Sequence, residues 1–397
     1  MTDLLQIPAP GAQVLKFAGE CLDVALETPP EAKGRAFLRT NLQRAALRRK
    51  EIIAATEADE PPLAQDWHDI AMEPDASKPG RYVVRAPLTE VGYFSCKACF
   101  IPEGETTPVW PQGSDTRVKV EPAHTVCANT VYTAFVRQFG KALTEDPHSP
   151  HNRELADALA SQGYTVIPPS GTFRDLIKKL DVILGEMRFR ILQLLPIHPT
   201  PTTFARMGNF GSPFAARDLM DVDPALAEFD TQATPMDQFH ELVDAVHAHG
   251  ARIFLDIPAD HTGWASVWQE HHPEWFKHDK NGAFKSPGAW GVVWEDLVEL
   301  DYVQRGLYSH IAEVFLFWCR QGVDGFRCDA GYMIPQNVWT YVTARVREVF
   351  PDTVFLLEGL GGSMETTERL LSEANLDWAY SEIFQTENRA DFFGHPG

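Results

Sequence analysis

The chain has 397 residues, 44% of them hydrophobic and 23% charged, which is enough for about two or three domains with a sizeable core. Its 35 basic residues stand against 55 acidic ones, a formal charge of −20, so nucleic acid and anionic membrane are not expected as partners. The start, "MTDLLQIPAPGAQ", has no basic stretch ahead of an apolar core, and no run approaches the ~18 apolar residues that a membrane span needs, so a cytoplasmic protein is expected.

Residues 1–60 read as an N-terminal helical segment, because the pattern over 10–57 is helical and ends in "RTNLQRAALRRKEII", a solvated helix face. From about 61 to 122 the texture changes to short alternating runs, "RYVVRAPL", "GYFSCKACFI" and "TRVKVEP", punctuated by Pro and Gly. That pattern predicts a small β-sandwich of immunoglobulin-like type. Cys96 and Cys99 form a CxxC there, with His124 and Cys127 following, but a spacing of three on a strand puts the thiols on opposite faces. No zinc set is expected from them, and six Cys spread over this length make no disulfide framework.

After Pro122, apolar strands alternate with helices over 123–397. The candidate strands are 131–136, 189–195, 252–256, 324–329, 354–358 and 377–384, separated by helices such as "PMDQFHELVDAVHAHG" and "GLYSHIAEVFLFWCRQG". Such alternation implies a parallel sheet, either open or closed into a barrel. Neither GxGxxG nor GxxxxGKS/T follows any strand, so a nucleotide-binding open sheet loses its main support. Acidic residues instead end three strands, at Asp256, Asp329 and Glu358. Polar groups at the carboxyl ends of several strands are what a TIM-type barrel requires of its active site. The expected architecture is therefore α/β: an incomplete (β/α)8 TIM-type barrel of about six strands, with 262–300 as a long excursion after the third.

Within "GVDGFRCD" (322–329), Arg327 and Asp329 are two apart on a strand and share a face. Asp329 and Glu358 end successive strands, about 4.8 Å apart in a sheet, which can bring their carboxyl groups near the ~5–5.5 Å of a retaining glycosidase. A guanidinium beside Asp329 favours a charged nucleophile, and an apolar setting favours a protonated Glu358.

These segments also resemble a family. "GVDGFRCD" is similar to the nucleophile strand of the α-amylase family of glycoside hydrolases, "DIPADH" (256–261) to its strand-three motif and "VFLLEG" (354–359) to its general-acid strand. The resemblance covers roughly 125–397. It implies that Asp329 is the nucleophile, Glu358 the acid/base and Arg327 the nucleophile's partner, while His261 contacts sugar hydroxyls and Asp256 supports the strand-three loop on the substrate side. "GSPFAARDLMDVDP" (211–224) resembles the loop after strand two, where Phe214 stands in place of a sugar-stacking Tyr and Asp218 is structural. Half of the ten Trp fall between 264 and 294, and Trp264 is expected to touch substrate.

The resemblance implies a retaining hydrolase or transglycosylase acting on α-glucan or malto-oligosaccharide. "LLPIHPTP" (194–201), "GSPF" and "HPEWF" (272–276) look like the branch that transfers maltosyl units from maltose 1-phosphate, which is the alternative. A non-catalytic sugar-binding or scaffold relative is a further alternative, opposed by the presence of both carboxylates. No cofactor is expected. The family pattern has Asn where this chain has Asp260; a carboxylate there can ligate calcium, yet no second ligand group is identifiable, so no required metal is expected. Six of eight strands are visible, and His395 is followed by Pro396 and Gly397 rather than by the family's third catalytic Asp. A C-terminally truncated sequence is expected, inactive on its own, from an active parent.

Overall fold

The computed structural model describes residues 4–126, 130–140, 154, 157–159, 161–162, 170–201, 211–289, 291–359 and 362–380. The chain divides into two compact units, Met1–Ala128 with Thr343–Asp352, and Asn129–Val342 with Thr353–Gly397. Cys127, residues 381–384 of the sixth predicted strand and His395 lie outside the described residues.

The first unit corrects the expectation of an N-terminal helical segment. It contains β1 (Leu5–Ile7), β2 (Gln13–Phe17), β3 (Cys21–Glu27), β4 (Gly34–Thr40), α1 (Ala45–Glu57), β5 (His68–Pro74), β6 (Arg81–Pro87), β7 (Gly92–Pro102) and β8 (Thr116–Glu121). Among the described residues up to 60, only α1 is helical. In β3, "CLDVALE", Leu22, Val24 and Leu26 are buried while Asp23 is exposed, a period of two rather than 3.6. The strand order is β1-β3-β6-β5-β4-β7-β8-β2. The strand β5 serves two layers, pairing through His68–Met72 with β4 and through Glu73 and Pro74 with β6. The two layers share a core that includes Leu22, Leu26, Leu38, Phe94 and Val118. The sandwich predicted for 61–122 thus draws β1, β2, β3 and β4 from the segment ahead of it. Cys96 and Cys99 are both free and both buried, and burial pushes the Cys96 thiol up to about 12, so it is no ready thiolate ligand.

The second unit contains the barrel strands in the predicted order. Its elements are β9 (Val131–Ala134), α2 (Phe173–Ile177), β10 (Ile191–Leu194), α3 (Pro235–Ala248), β11 (Arg252–Pro258), β12 (His261–Gly263), α4 (Val267–His271), β13 (Gly288–Ala289), β14 (Val292–Val293) and β15 (Leu297–Glu299). They continue with α5 (Gly306–Arg320), β16 (Gly325–Asp329), α6 (Gln336–Val349, whose residues from Thr343 onward belong to the first unit), β17 (Val354–Leu357), α7 (Met364–Ser372) and β18 (Trp378–Ala379). Among the described residues the main sheet has six strands in the order β18-β17-β16-β11-β10-β9, every pairing parallel. This is an incomplete TIM-type barrel. Helix α3 begins at a Thr234–Asp237 capping box with Pro235 in its first turn and buries Phe239, Leu242, Val243 and Val246. Helix α5 packs through Phe315, edge-on to Phe326 at 4.8 Å. Among the described residues, no helix is long and apolar enough to cross a membrane.

Register sets what faces inward. Gln193, Phe254, Gly325 and Val354 are paired across β10, β11, β16 and β17, and Ile191, Phe254 and Val354 pack with Val131 and Trp378 as an apolar floor. Gly325 is required there, because a Cβ would lie 2.6 Å from the Phe254 ring and 2.8 Å from the Val354 carbonyl. Two residues further along each strand the register brings Asp256 beside Arg327, and one more step of two brings Asp329 to the strand end. Charge is thereby collected at the carboxyl end of the sheet, above a closed floor.

Candidate active site

One guanidinium organises the carboxyl end. Arg327 Nη1 donates to both Asp256 oxygens at 2.8 and 2.7 Å and to Asp329 Oδ1 at 2.7 Å, while Nη2 lies 3.1 Å from Glu358 Oε2. The Ala330 N–H donates to the same Glu358 oxygen at 2.8 Å. To do so Ala330 takes a left-handed conformation, φ 45°, uncommon for a residue with a Cβ. Burial pushes the Glu358 carboxyl up; Arg327 opposes this and the Asp329 charge adds to it, leaving it above its ordinary value. Burial likewise pushes Asp256 well above the carboxylate range, against the pull of Arg327. Burial works against the charge of Arg327 itself, yet the three carboxyl groups outweigh it and raise its pKa.

Asp329 and Glu358 therefore stand on adjacent strands at the same end, joined by one cation. The place given to Asp256 among substrate contacts is corrected: it is 0% exposed and engaged by Arg327, so it supports the guanidinium rather than meeting a ligand.

Two loops build the flank. The segment after β10 and the segment after β11 are joined by Gly263 N–H to the Ala216 carbonyl at 2.7 Å and Val267 N–H to the Arg217 carbonyl at 3.0 Å. Gly263 permits this approach, since a Cβ would stand 2.4 Å from the Ala215 carbonyl oxygen. The same contact holds His261 Nε2 at 3.1 Å from the Phe214 carbonyl. His261 is buried, its Nδ1 2.7 Å from Asp260 Oδ1. The half-buried Phe214 presents its ring face to Arg327, 5.8 Å from the guanidinium carbon. Trp264 donates from Nε1 to the Glu295 carbonyl at 2.8 Å and lies edge-on to Phe284, as packing of the excursion. Trp294 is the excursion ring beside His261, at 6.5 Å. Asp218 Oδ1 accepts from the Met220 N–H at 2.9 Å, a local turn.

Asp260, His261 and Asp329 bring ligand-type atoms within 4.8 Å of one another. They do not fit a metal. Calcium takes about 6–8 oxygens, and the set offers two carboxylates and an imidazole. Donors on one small cation with bonds of ~2.0–2.1 Å stand about 3.3 Å apart at a tetrahedral angle, whereas His261 Nδ1 and Asp260 Oδ1 are 2.7 Å apart. Asp329 Oδ1 already receives Arg327.

Sequence reasoning missed Tyr380 and Gln193. The Tyr380 ring faces the guanidinium carbon at 6.0 Å and its hydroxyl donates to Gln193 Oε1 at 3.1 Å. The signal was present: Tyr380 is two residues past the inward Trp378, and Gln193 interrupts the otherwise apolar "ILQLL".

No family model matches the chain. It is 29% identical over 285 residues to the α-1,4-glucan:maltose-1-phosphate maltosyltransferase of Burkholderia pseudomallei, a match covering 66% of this chain and 24% of that protein. Against the enzyme of the same name from Myxococcus xanthus it is 30% identical over 201 residues, covering 47% of this chain and 29% of the other. The chain thus spans less than a third of the length of these curated relatives. Among solved structures, an α-amylase from Lactobacillus plantarum superposes with a TM-score of 0.52 at 26% identity, covering 66% of this chain and 55% of that one.

Proposed function

Because the chain belongs to the α-amylase family, we propose that it acts on α-1,4-linked glucose oligomers or polymers by a retaining double displacement. The observation that carries this reading is the single guanidinium binding Asp329 and Glu358 at the ends of adjacent parallel strands. Asp329 attacks the anomeric carbon and the glycosidic bond breaks, its oxygen taking the proton of Glu358. Burial supports the protonated form of Glu358 before that step. Glu358, now a carboxylate, accepts the proton of the incoming acceptor hydroxyl, whose oxygen bonds the anomeric carbon as the glycosyl–Asp329 bond breaks. Arg327, braced by Asp256 behind it, keeps both carboxyl groups facing the same space. Phe214 offers an apolar face for a sugar ring.

A second reading concerns the donor. The maltosyltransferase names of relatives aligned over 47–66% of this chain favour transfer of maltosyl units from maltose 1-phosphate to a glucan end. Incubation with maltoheptaose alone, with phosphate, and with maltose 1-phosphate separates the cases by products. Shorter oligosaccharides indicate hydrolysis or disproportionation, maltose 1-phosphate formation indicates phosphorolysis, and extension by two glucose units indicates maltosyl transfer. Product patterns identical in the wild type and Asp329→Ala would refute the double displacement.

A further inference from the structure

We propose that Asp260 is a positioning residue that holds His261 as a buried imidazolium, fixing a positive charge beside Asp329. The inference rests on the reading of Asp329 as the attacking carboxylate, and it explains what these three clustered groups do in place of binding a metal.

Two acceptors bracket the ring. Nε2 faces the Phe214 carbonyl at 3.1 Å, and a carbonyl only accepts, so Nε2 carries a proton. Nδ1 faces Asp260 Oδ1 at 2.7 Å. A bare nitrogen lone pair would repel a carboxylate at that distance, so a further proton must lie between them. The approach is oblique: neither Asp260 oxygen nor His261 Nδ1 has a well-aligned hydrogen-bond partner among the described residues. His261 is 1% exposed and Asp260 3%, and a buried carboxylate without donors remains charged only against a counter-charge. The imidazolium supplies it.

The other groups around the ring agree. Asp329 approaches from β16 with Arg327 beyond it, and Tyr302 lies near Asp260. Across the β12–β15 ladder is Glu299, already paired with Lys277 and Lys285. Trp294 is edge-on. Burial pushes the imidazole down, but Asp260, with Asp329 and the Phe214 carbonyl, pushes it up to about 9. His261 is therefore neither a neutral metal ligand nor a proton shuttle near neutrality, but a fixed charge beside the nucleophile.

The test is a two-bond 1H–15N spectrum of the histidine-labelled chain between about pH 5 and 10, with His261 identified by the signals lost in His261→Gln. The wild type should show both ring nitrogens protonated at neutral pH with a midpoint near 9. Asp260→Asn should drop that midpoint below 6.5, the ordinary value, and Asp260→Glu should keep it above. A wild-type midpoint at or below 6.5, an unchanged midpoint in Asp260→Asn, or zinc or calcium moving the His261 signals would each overturn the proposal. The wild-type spectrum can by itself overturn the imidazolium, so a variant that fails to fold does not shelter the idea. The readout needs no turnover, so it can fail or succeed independently of the glycosyl-transfer reading.

Discussion

Replacing Arg327 with Met keeps much of the side chain's bulk and deletes its charge. Asp256, 0% exposed, then loses the bonds at 2.8 and 2.7 Å, and no other side chain among the described residues is paired with it. Asp329 and Glu358 lose their common cation as well. Removing one member of a buried ion pair costs about 3–5 kcal/mol, because the other is left uncompensated, so a loss of about 4 kcal/mol is expected at neutral pH. Most of that cost belongs to the stranded, unpartnered Asp256 carboxyl group rather than to lost packing. Arg327→Met combined with Asp256→Leu should therefore be more stable than Arg327→Met alone, by about 1–3 kcal/mol. Urea unfolding followed by tryptophan fluorescence reports the relevant unit, since eight of the ten Trp lie beyond residue 263, and midpoints are compared because a two-unit chain need not unfold in one step. A double variant no more stable than the single, or a single variant within about 0.5 kcal/mol of wild type, would refute the reasoning.

Gly325→Ala forces a methyl to within 2.6 Å of the Phe254 ring and 2.8 Å of a backbone carbonyl, and should destabilise by about 1–3 kcal/mol in the same assay. Tyr380→Phe strands the 1% exposed Gln193 amide oxygen and should cost about 1–3 kcal/mol, read by thermal melting. Stability should also fall with rising pH. Glu358, Asp256 and His261 all have folded values raised by their surroundings, so their contributions are complete below the unfolded values and are lost as pH rises through the folded ones. For His261 that window runs from 6.5 to about 9, and urea midpoints across it should decline in the wild type and stay flatter in Asp260→Asn.

The barrel was legible because its strands are short, apolar and separated by capped helices, and because Asp329 and Glu358 sit where strands end. The first sixty residues were misread because charged residues on the exposed face of β3 and β4 scatter among apolar ones and blur the period of two. The roles of Asp256 and Asp260 were hidden for another reason. Which carboxyl meets which cation depends on the register between β11 and β16 and on the crossing of two loops, and neither is encoded locally. Tyr380 and Gln193 lie 187 positions apart in sequence, so only closure of the sheet reveals their contact.

The most direct test of the central claim is chemical trapping of the glycosyl-enzyme. A maltosyl fluoride carrying a second fluorine at C5 has a good leaving group, so attack depends little on Glu358, and the added fluorine slows release. Mass spectrometry of the digested chain should find one maltosyl-type adduct, on the peptide bearing Asp329, and none in Asp329→Ala. An adduct on another carboxylate, or an undiminished adduct in Asp329→Ala, would contradict the assignment of Asp329.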